Sequence, residues 1–113
     1  MAISPGQYSF PLQRRADHEL LLQFKDSLGA AINLTGWTAY AQAWNFGRTT
    51  KYADFAVTYV DRVAGSIKIA LTDTQTATLP DEVFYDVLLE NPGGLREYYL
   101  EGTIYVSQGY TAP

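Results

Sequence analysis

Acidic side chains in the last third of the chain come closest to forming a chemical site. Strand alternation places Asp86 and Glu90 on one face, with Asp81, Glu82 and Glu101 nearby in the sequence. Paired carboxylates can bind Ca²⁺ or hydrolyse glycosides, but these uses need an oxygen-rich loop or a cleft that holds an acid of raised pKa. Because the sequence has neither pattern here, we expect a solvated acidic face or salt bridges to a neighbouring subunit, and no metal site.

Other catalytic residue types are scarce. His18, between Asp17 and Glu19, is the only histidine, and the chain has no cysteine. The lack of cysteine removes disulfides, thiolate nucleophiles and thiolate metal sites together. We therefore predict that the protein is not an enzyme and binds no cofactor, and that His18 is an edge or interface residue.

Length and charge limit the classes of protein to which the chain can belong. The chain has 113 residues, 8 of them basic and 12 acidic, for a net charge of -4. A nucleic-acid surface needs a concentrated basic patch, whereas Arg14-Arg15 is the only basic pair. No apolar run reaches the roughly 20 residues of a membrane span. The first ten residues lack the basic and apolar regions of a signal peptide. We expect one domain, made in a cytosol, with neither nucleic acid nor membrane as a partner.

Aromatic residues carry more information, since they make up 14% of the chain and nine of them are tyrosines. In the stretch from 34 to 45, Ala39, Ala41 and Ala43 alternate with Tyr40 and Trp44. Either face of this strand could be buried, and the pattern alone leaves both alternatives open. If the alanines face inward, the large aromatics stand outside, where such patches mark association surfaces.

The elements that position these residues are mostly strands. Period-two alternation predicts strands around 18–24, 37–44, 54–60 and 66–72, and Pro11 limits the extended segment 7–14 to an edge or a broken strand. Thr72 and Gln75 match a capping box, which predicts one helical turn over 73–78 before Pro80. Two apolar runs on either side of "NPGG" predict a β-hairpin. Short strands with frequent turns favour an immunoglobulin-like antiparallel β-sandwich, with a small barrel as the alternative.

The order of three segments is more distinctive than any one of them: "FPLQRRADHELLLQFKD", "GSIKIALTDTQTATLP" and "YDVLLENPGGLREYYLEGTIYVS". This order resembles a β-sandwich module of tailed bacteriophages, best known as the N-terminal domain of baseplate upper proteins and related tail-fibre proteins. The resemblance covers roughly residues 9 to 107. It implies that the strand after the Leu-Thr-Gly corner turns Ala39, Ala41 and Ala43 inward and presents Tyr40 and Trp44 to a neighbour.

The predicted organisation is an N-terminal arm (1–6), one β-sandwich domain (7–108) and a C-terminal tail (109–113). Alternation against Leu100, Ile104 and Val106 also turns two tyrosines of the last strand outward. The residues we assign to an interface are Tyr40, Trp44, Tyr99, Tyr105, Tyr110, Arg14 and Arg15.

The resemblance implies a non-enzymatic virion structural protein that joins other virion proteins, and probable partners include copies of itself. Such modules often precede a longer receptor-binding region, whereas this chain ends at Pro113. We therefore expect an adaptor in the tail, in the baseplate or at a fibre attachment. Two alternatives remain open: a cement or decoration protein on the capsid, and, from another class, a carbohydrate-binding module.

Overall fold

A computed structural model describes residues 6–111 of the chain, so the predicted arm, apart from Gly6, and residues 112–113 lie outside the described part. The described residues form nine strands and one short helix. In chain order these are β1 (Gly6–Gln7), β2 (Phe10–Gln13), β3 (His18–Gln23), β4 (Thr38–Trp44), β5 (Lys51–Asp54), β6 (Ala56–Asp61), β7 (Ser66–Leu71), α1 (Asp73–Ala77), β8 (Glu82–Glu90) and β9 (Arg96–Ser107). The sheet already begins at Gly6, which the sequence had placed in the arm.

The strands form two sheets, which confirms the predicted all-β sandwich. The larger sheet has the order β1-β9-β8-β4-β5, with β2 also paired to β9, and the smaller sheet has the order β3-β7-β6. All neighbouring pairs are antiparallel except β1 and β2, which run parallel to β9. This is the immunoglobulin strand arrangement, with the first strand moved to the side of the last one.

A single apolar core lies between the two sheets. Alternate residues of both sheets point into it, and Ile67, Ile69, Val83, Val87 and Ile104 are fully buried there. Alternating apolar and polar residues produce this result because successive strand side chains point to opposite faces. No helix within residues 6–111 is long and apolar enough to span a membrane.

Strand β4 resolves the ambiguous alternation in favour of buried alanines. Ala39, Ala41 and Ala43 are 6%, 4% and 0% exposed, whereas Tyr40 on the opposite face is 43% exposed. Trp37, just before the strand, packs edge-on against Tyr99. Small inward side chains let β4 approach the core closely and leave its large side chains on the outer face.

The predicted helical turn is also confirmed. Thr72 caps α1 in a capping box. The Gln75 amide donates to the Thr72 hydroxyl oxygen, and the Thr72 amide donates to the Gln75 side-chain oxygen. The hydroxyl of Thr76, which is fully buried, donates a hydrogen bond to the carbonyl of Ala16. The turn is therefore tied to the segment that precedes β3, and tertiary contacts stabilise a helix too short to persist alone.

The β8–β9 hairpin forms as predicted, but one of its side chains points elsewhere. A register shift beside Val87 and Leu88 pairs Leu88 with Tyr98 and Val87 with Leu100, so Tyr99 lies in a bulge of β9. Tyr99 packs edge-on against Phe24 at a centroid distance of 6.0 Å and is half-buried. The expectation that Tyr99 faces outward is therefore wrong, because a bulge interrupts the alternation that the expectation assumed.

The extended N-terminal segment is interrupted between β1 and β2, and hydrogen bonds at Tyr8 hold the interruption close to β9. The Tyr85 hydroxyl, in the core, donates a hydrogen bond to the carbonyl of Tyr8, and the Tyr8 amide donates to Glu101. A Cβ added to Gly102 would lie 2.0 Å from the Tyr8 carbonyl oxygen. Only glycine at this position lets the N-terminal strand approach so closely.

Replacing Tyr85 by Phe should cost about 1 kcal/mol of unfolding free energy, since it removes one buried hydrogen bond and leaves the Tyr8 carbonyl without its donor. Hydrogen exchange should increase at the Tyr8 amide and stay unchanged in β3 and β7. Equal loss of protection throughout both sheets would contradict this local role of the Tyr85 hydroxyl.

Candidate binding face

The outer face of the larger sheet, the side turned away from the core, is the most distinctive surface of the molecule. Cross-strand pairing arranges its side chains in rows that run across β4, β8 and β9. One row contains Tyr40, Leu88 and Tyr98, and another contains Trp44, Phe84 and Thr103. Between them lies a polar row of Gln42, Asp86 and Glu101. Two mostly apolar rows thus flank a strip of hydrogen-bonding groups.

The row at Trp44 is extended by the loop between β4 and β5. Phe46, although 86% exposed, stacks edge-on against Phe84 at a centroid distance of 5.2 Å. The guanidinium of Arg48 lies 4.7 Å from the Trp44 ring centroid, within range of a cation–π interaction. Arg48 adopts a left-handed backbone conformation, with φ of 55°, which turns the loop back over the sheet.

The row at Tyr40 is bounded by a second arginine. Arg96 lies over the Tyr40 ring at 6.0 Å and forms an ion pair with Glu90 on the neighbouring strand. Both arginines therefore sit on aromatic rings at opposite ends of the face. Planar cations stacked on aromatic rings are well suited to contact protein surfaces, where Trp, Tyr and Arg dominate binding energy.

Asp86 is the most unusual group of the polar row. Burial, together with the negative charge of Glu101 directly opposite on β9, raises the pKa of this carboxyl, and Arg48 opposes the shift only in part. Glu101 itself accepts a hydrogen bond of 2.7 Å from Gln7 at the start of the sheet. Two adjacent carboxylates with few cations leave this strip ready to accept hydrogen bonds from a partner.

The rows enclose an open groove of about 690 Å³. Trp44, Phe46 and Phe84 line one side of it, Tyr40 and Tyr98 the other, and Asp86 and Glu101 the floor. A groove of this kind can bind another surface by burying aromatic area and by accepting hydrogen bonds along its floor.

Replacing Asp86 by Asn should stabilise the fold by about 0.2–1 kcal/mol at neutral pH, because it removes a like-charge pair across two strands. The native carboxyl has a raised pKa, so the folded state holds its proton more firmly than the unfolded chain. The benefit of the Asn should therefore fade as the pH falls below the ordinary Asp range. Urea unfolding at about pH 7 and about pH 3 measures both values.

Asp54→Asn provides the control for this pH dependence. A hydrogen bond from Lys51 lowers the pKa of Asp54, so its charged form is favoured in the folded state. This substitution should bring no gain at neutral pH. A gain of the same size in both variants would mean that lower net charge, and not the pair at Asp86, is responsible.

The structure places the aromatic residues that the sequence assigns to an interface in three different settings. Tyr40, Trp44 and Tyr105 lie on the outer face, where Tyr105 stands opposite Glu82 and is 53% exposed. Tyr110 is 95% exposed in the segment after β9. Tyr99, as described above, packs against the core.

Both arginines that the sequence assigns to an interface make hydrogen bonds within the chain. The side chain of Arg14 is only 12% exposed and donates hydrogen bonds to the Leu79 carbonyl, Gln108 and Asp81. Arg15 has a φ of 67° and donates to the Gln108 carbonyl. Adjacent arginines in the sequence carry no information on whether they close a turn or face solvent.

The sequence interpretation missed the two arginines of the face, Arg48 and Arg96, and four of its apolar or aromatic residues: Phe46, Phe84, Leu88 and Tyr98. The pattern of β8 holds the signal for two of them, since Phe84 and Leu88 share the face of Asp86 and alternate with buried Val83, Tyr85, Val87 and Leu89. Tyr98 is placed outward by the same bulge that turns Tyr99 inward. Phe46 lies in a loop, where alternation gives no guidance.

The structure also places the acidic side chains and His18 within residues 6–111. No group of three or more His, Asp or Glu side chains in this range is arranged to hold a metal ion. His18 stacks on Phe10 at a centroid distance of 5.0 Å, and burial lowers its pKa. It shares the face of Leu20 on β3. No protein-family model matches this chain, and neither does any curated protein.

Proposed function

We propose that this chain is a structural protein of a tailed-phage virion, an adaptor that joins tail or baseplate proteins and binds its neighbours through the outer face of the larger sheet. The order of sequence motifs supports the virion assignment. The observation that supports the binding face is the pair of mostly apolar rows around Asp86 and Glu101, with Phe46 projecting above them.

The mechanism would be binding alone. Tyr40, Trp44 and Tyr98 would supply apolar area near the centre of the contact, where buried aromatic side chains contribute most of the affinity. Arg48 and Arg96 would form polar contacts at its ends, and the carboxylates of the floor would accept hydrogen bonds from the neighbour.

Purified phage particles provide the test. Mass spectrometry should detect the chain in particles, and cryo-electron microscopy should place it in the tail or baseplate. A position on the head would instead support the capsid cement alternative, and absence from particles would refute the virion proposal. In a complementation assay, the double variant Trp44→Ala and Tyr98→Ala should fail to incorporate, whereas Leu28→Ala, at an exposed residue in the turn after β3, should incorporate normally.

A carbohydrate-binding module is the second candidate, and the polar strip between aromatic rows favours it. Aromatic rings can stack on sugars while Asp86, Glu101 and Gln42 bind hydroxyl groups. Glycan-array binding that is lost in Trp44→Ala, with the fold intact by circular dichroism, would support this function. A protein that assembles into particles and binds no glycan would exclude it.

A further inference from the structure

Strand β3 forms an edge of the smaller sheet that is unpaired in the part of the chain that the structure describes. It pairs with β7 over His18–Gln23, and that is its one neighbour in this sheet. Just after the strand, the Phe24 amide donates to the Gly65 carbonyl and the Phe24 carbonyl accepts from Ile32, both on the β7 side. Backbone groups alternate in direction along a strand, so those of Glu19, Leu21 and Gln23 point away from β7 into solvent.

The other sheet edges carry features that discourage pairing. Strand β5 has four residues beside a bulge and carries the Lys51–Asp54 ion pair, and β6 contains a bulge before Asp61. The edge formed by β1 and β2 is broken into two short pieces and contains Pro11. Bulges, prolines, lysines and short strands are the devices that natural proteins use to block edge-to-edge association.

Strand β3 has none of these devices. Its six residues, HELLLQ, contain no proline or lysine and pair in regular register with β7. Leu21, in the middle, is 67% exposed, and the inward-facing Leu20 and Leu22 are only half-buried. A regular, apolar and exposed edge is a template for another strand.

We propose that β3 pairs antiparallel with β3 of a second copy of this chain, about a twofold axis at Leu21. The contact would join two three-stranded sheets into one continuous six-stranded sheet. It uses a surface separate from the outer face of the larger sheet and does not rest on the function proposed above. An isologous contact of this kind closes on itself and gives a dimer, not a filament.

The sequence around Leu21 is complementary to itself in this register. Glu19 of one copy lies opposite Gln23 of the other, where an amide can donate to a carboxylate, and each such pair occurs twice. One step further out, Asp17 faces Lys25, which gives two ion pairs of opposite charge. A twofold axis at Glu19 would instead place two Glu19 carboxylates together, which is unfavourable.

The side chains that the register needs are available. Glu19 is 64% exposed and makes only a 3.4 Å contact with Lys68. Gln23 and Lys25 are exposed; the Gln23 side-chain amide donates one hydrogen bond to the Ala64 carbonyl, which leaves its second N–H for Glu19 of the other copy. Asp17 accepts the Asp73 amide through one oxygen, which leaves its other oxygen free to accept. The backbone amides and carbonyls of Glu19, Leu21 and Gln23 would complete the pairing between copies.

A strand pair of this length buries less area than a standard stable interface, so the dimer should be weak and dependent on concentration. Sedimentation equilibrium over a concentration series should show a reversible monomer–dimer equilibrium. A dimer with a Kd of about 1 mM would be well populated at a chain concentration of about 1 mM. A chain that stays monomeric at that concentration would overturn the proposal.

Variants at Leu21 test the edge directly. Leu21→Pro removes an amide that points away from β7, so the ladder within the monomer is kept while the contact between copies is lost. Leu21→Lys brings two like charges together at the twofold axis, and this variant replaces the proline variant in the test if the latter does not fold. Both variants should be monomeric. Val60→Lys, on the exposed β6 edge, is the matched control and should dimerise like the parent chain.

Variants at Gln23 test the register. Gln23→Lys should tighten the dimer roughly fivefold because Glu19 lies opposite in both symmetric pairs, and Gln23→Glu should weaken it by a similar factor. Circular dichroism confirms that each variant is folded. Shifts in the same direction, or a dimer that Leu21→Lys leaves intact and Trp44→Ala dissociates, would overturn the proposal.

Discussion

Replacing Ala43 by Leu is expected to destabilise the fold by roughly 3 kcal/mol, the upper part of the range for overpacked cores. Ala43 is 0% exposed and lies between Ala53 on β5 and Tyr85 on β8. A larger side chain here has no space, so β4 must move away from the core or the opposing side chains must leave their preferred rotamers.

Thr38→Leu is the matched control for this substitution. Thr38 lies on the same strand but on the outer face, where it is exposed, so the added volume meets solvent. Urea unfolding should show little change for Thr38→Leu and a large loss for Ala43→Leu. Equal tolerance of both would mean that the small residues of β4 are not required for its close approach to the core.

Replacing Arg62 by Ala should cost about 2–4 kcal/mol, because two charged hydrogen bonds are lost and the Trp37 carbonyl is left without a donor, whereas the Leu34 carbonyl keeps the Trp37 amide. Arg62 Nη1 donates to the carbonyls of Leu34 and Trp37, at 3.1 and 2.7 Å. Its guanidinium also stacks 3.7 Å from the centroid of the Tyr59 ring. This one side chain therefore ties the loop before β4 to the end of β6.

Arg62→Lys separates charge from geometry, since lysine keeps the charge but not the planar stacking group, and should recover less than half of the loss. Arg96→Ala is the control for a surface arginine, because its exposed ion pair with Glu90 is screened by solvent and should contribute little to stability. If Arg62→Ala proved as mild as Arg96→Ala in urea unfolding, the anchoring role of Arg62 would be refuted.

Alternation predicts much of this fold because most of its strands bury one face. The strands around His18–Gln23, Thr38–Trp44 and Ser66–Leu71, and the capped turn after Thr72, all follow from local patterns. The pairing of β1 and β2 parallel to β9 does not follow from them, since it depends on the close approach that Gly102 allows. Long-range backbone contacts of that kind leave no local period in a sequence.

Strand alternation also predicts part of the outer face of the larger sheet. Tyr40, Trp44 and Tyr105 follow from alternation once the buried face of each strand is known. The exchange of Tyr98 for Tyr99 comes from a single bulge, which puts the residues of β9 before it out of phase with those after it. Arg14 and Arg15 close a turn against Gln108, which lies far away in the sequence and near only in the folded chain.

The face and the β3 edge lie on different sheets, so one copy can use both. Pairing through β3 would leave the outer face of each copy free for a different protein. Such an arrangement is suited to an adaptor, since two copies could present two aromatic faces related by a twofold axis.

The proposed function requires that the outer face of the larger sheet contacts a neighbour in the assembled particle. Hydroxyl-radical footprinting of the isolated chain and of purified particles tests it most directly, because aromatic side chains are oxidised readily when exposed. We predict that Tyr40, Phe46 and Tyr98 are several-fold protected in particles, while Leu28, exposed in the turn after β3, reacts similarly in both states. Equal oxidation of the three face residues in free and assembled protein would contradict the claim.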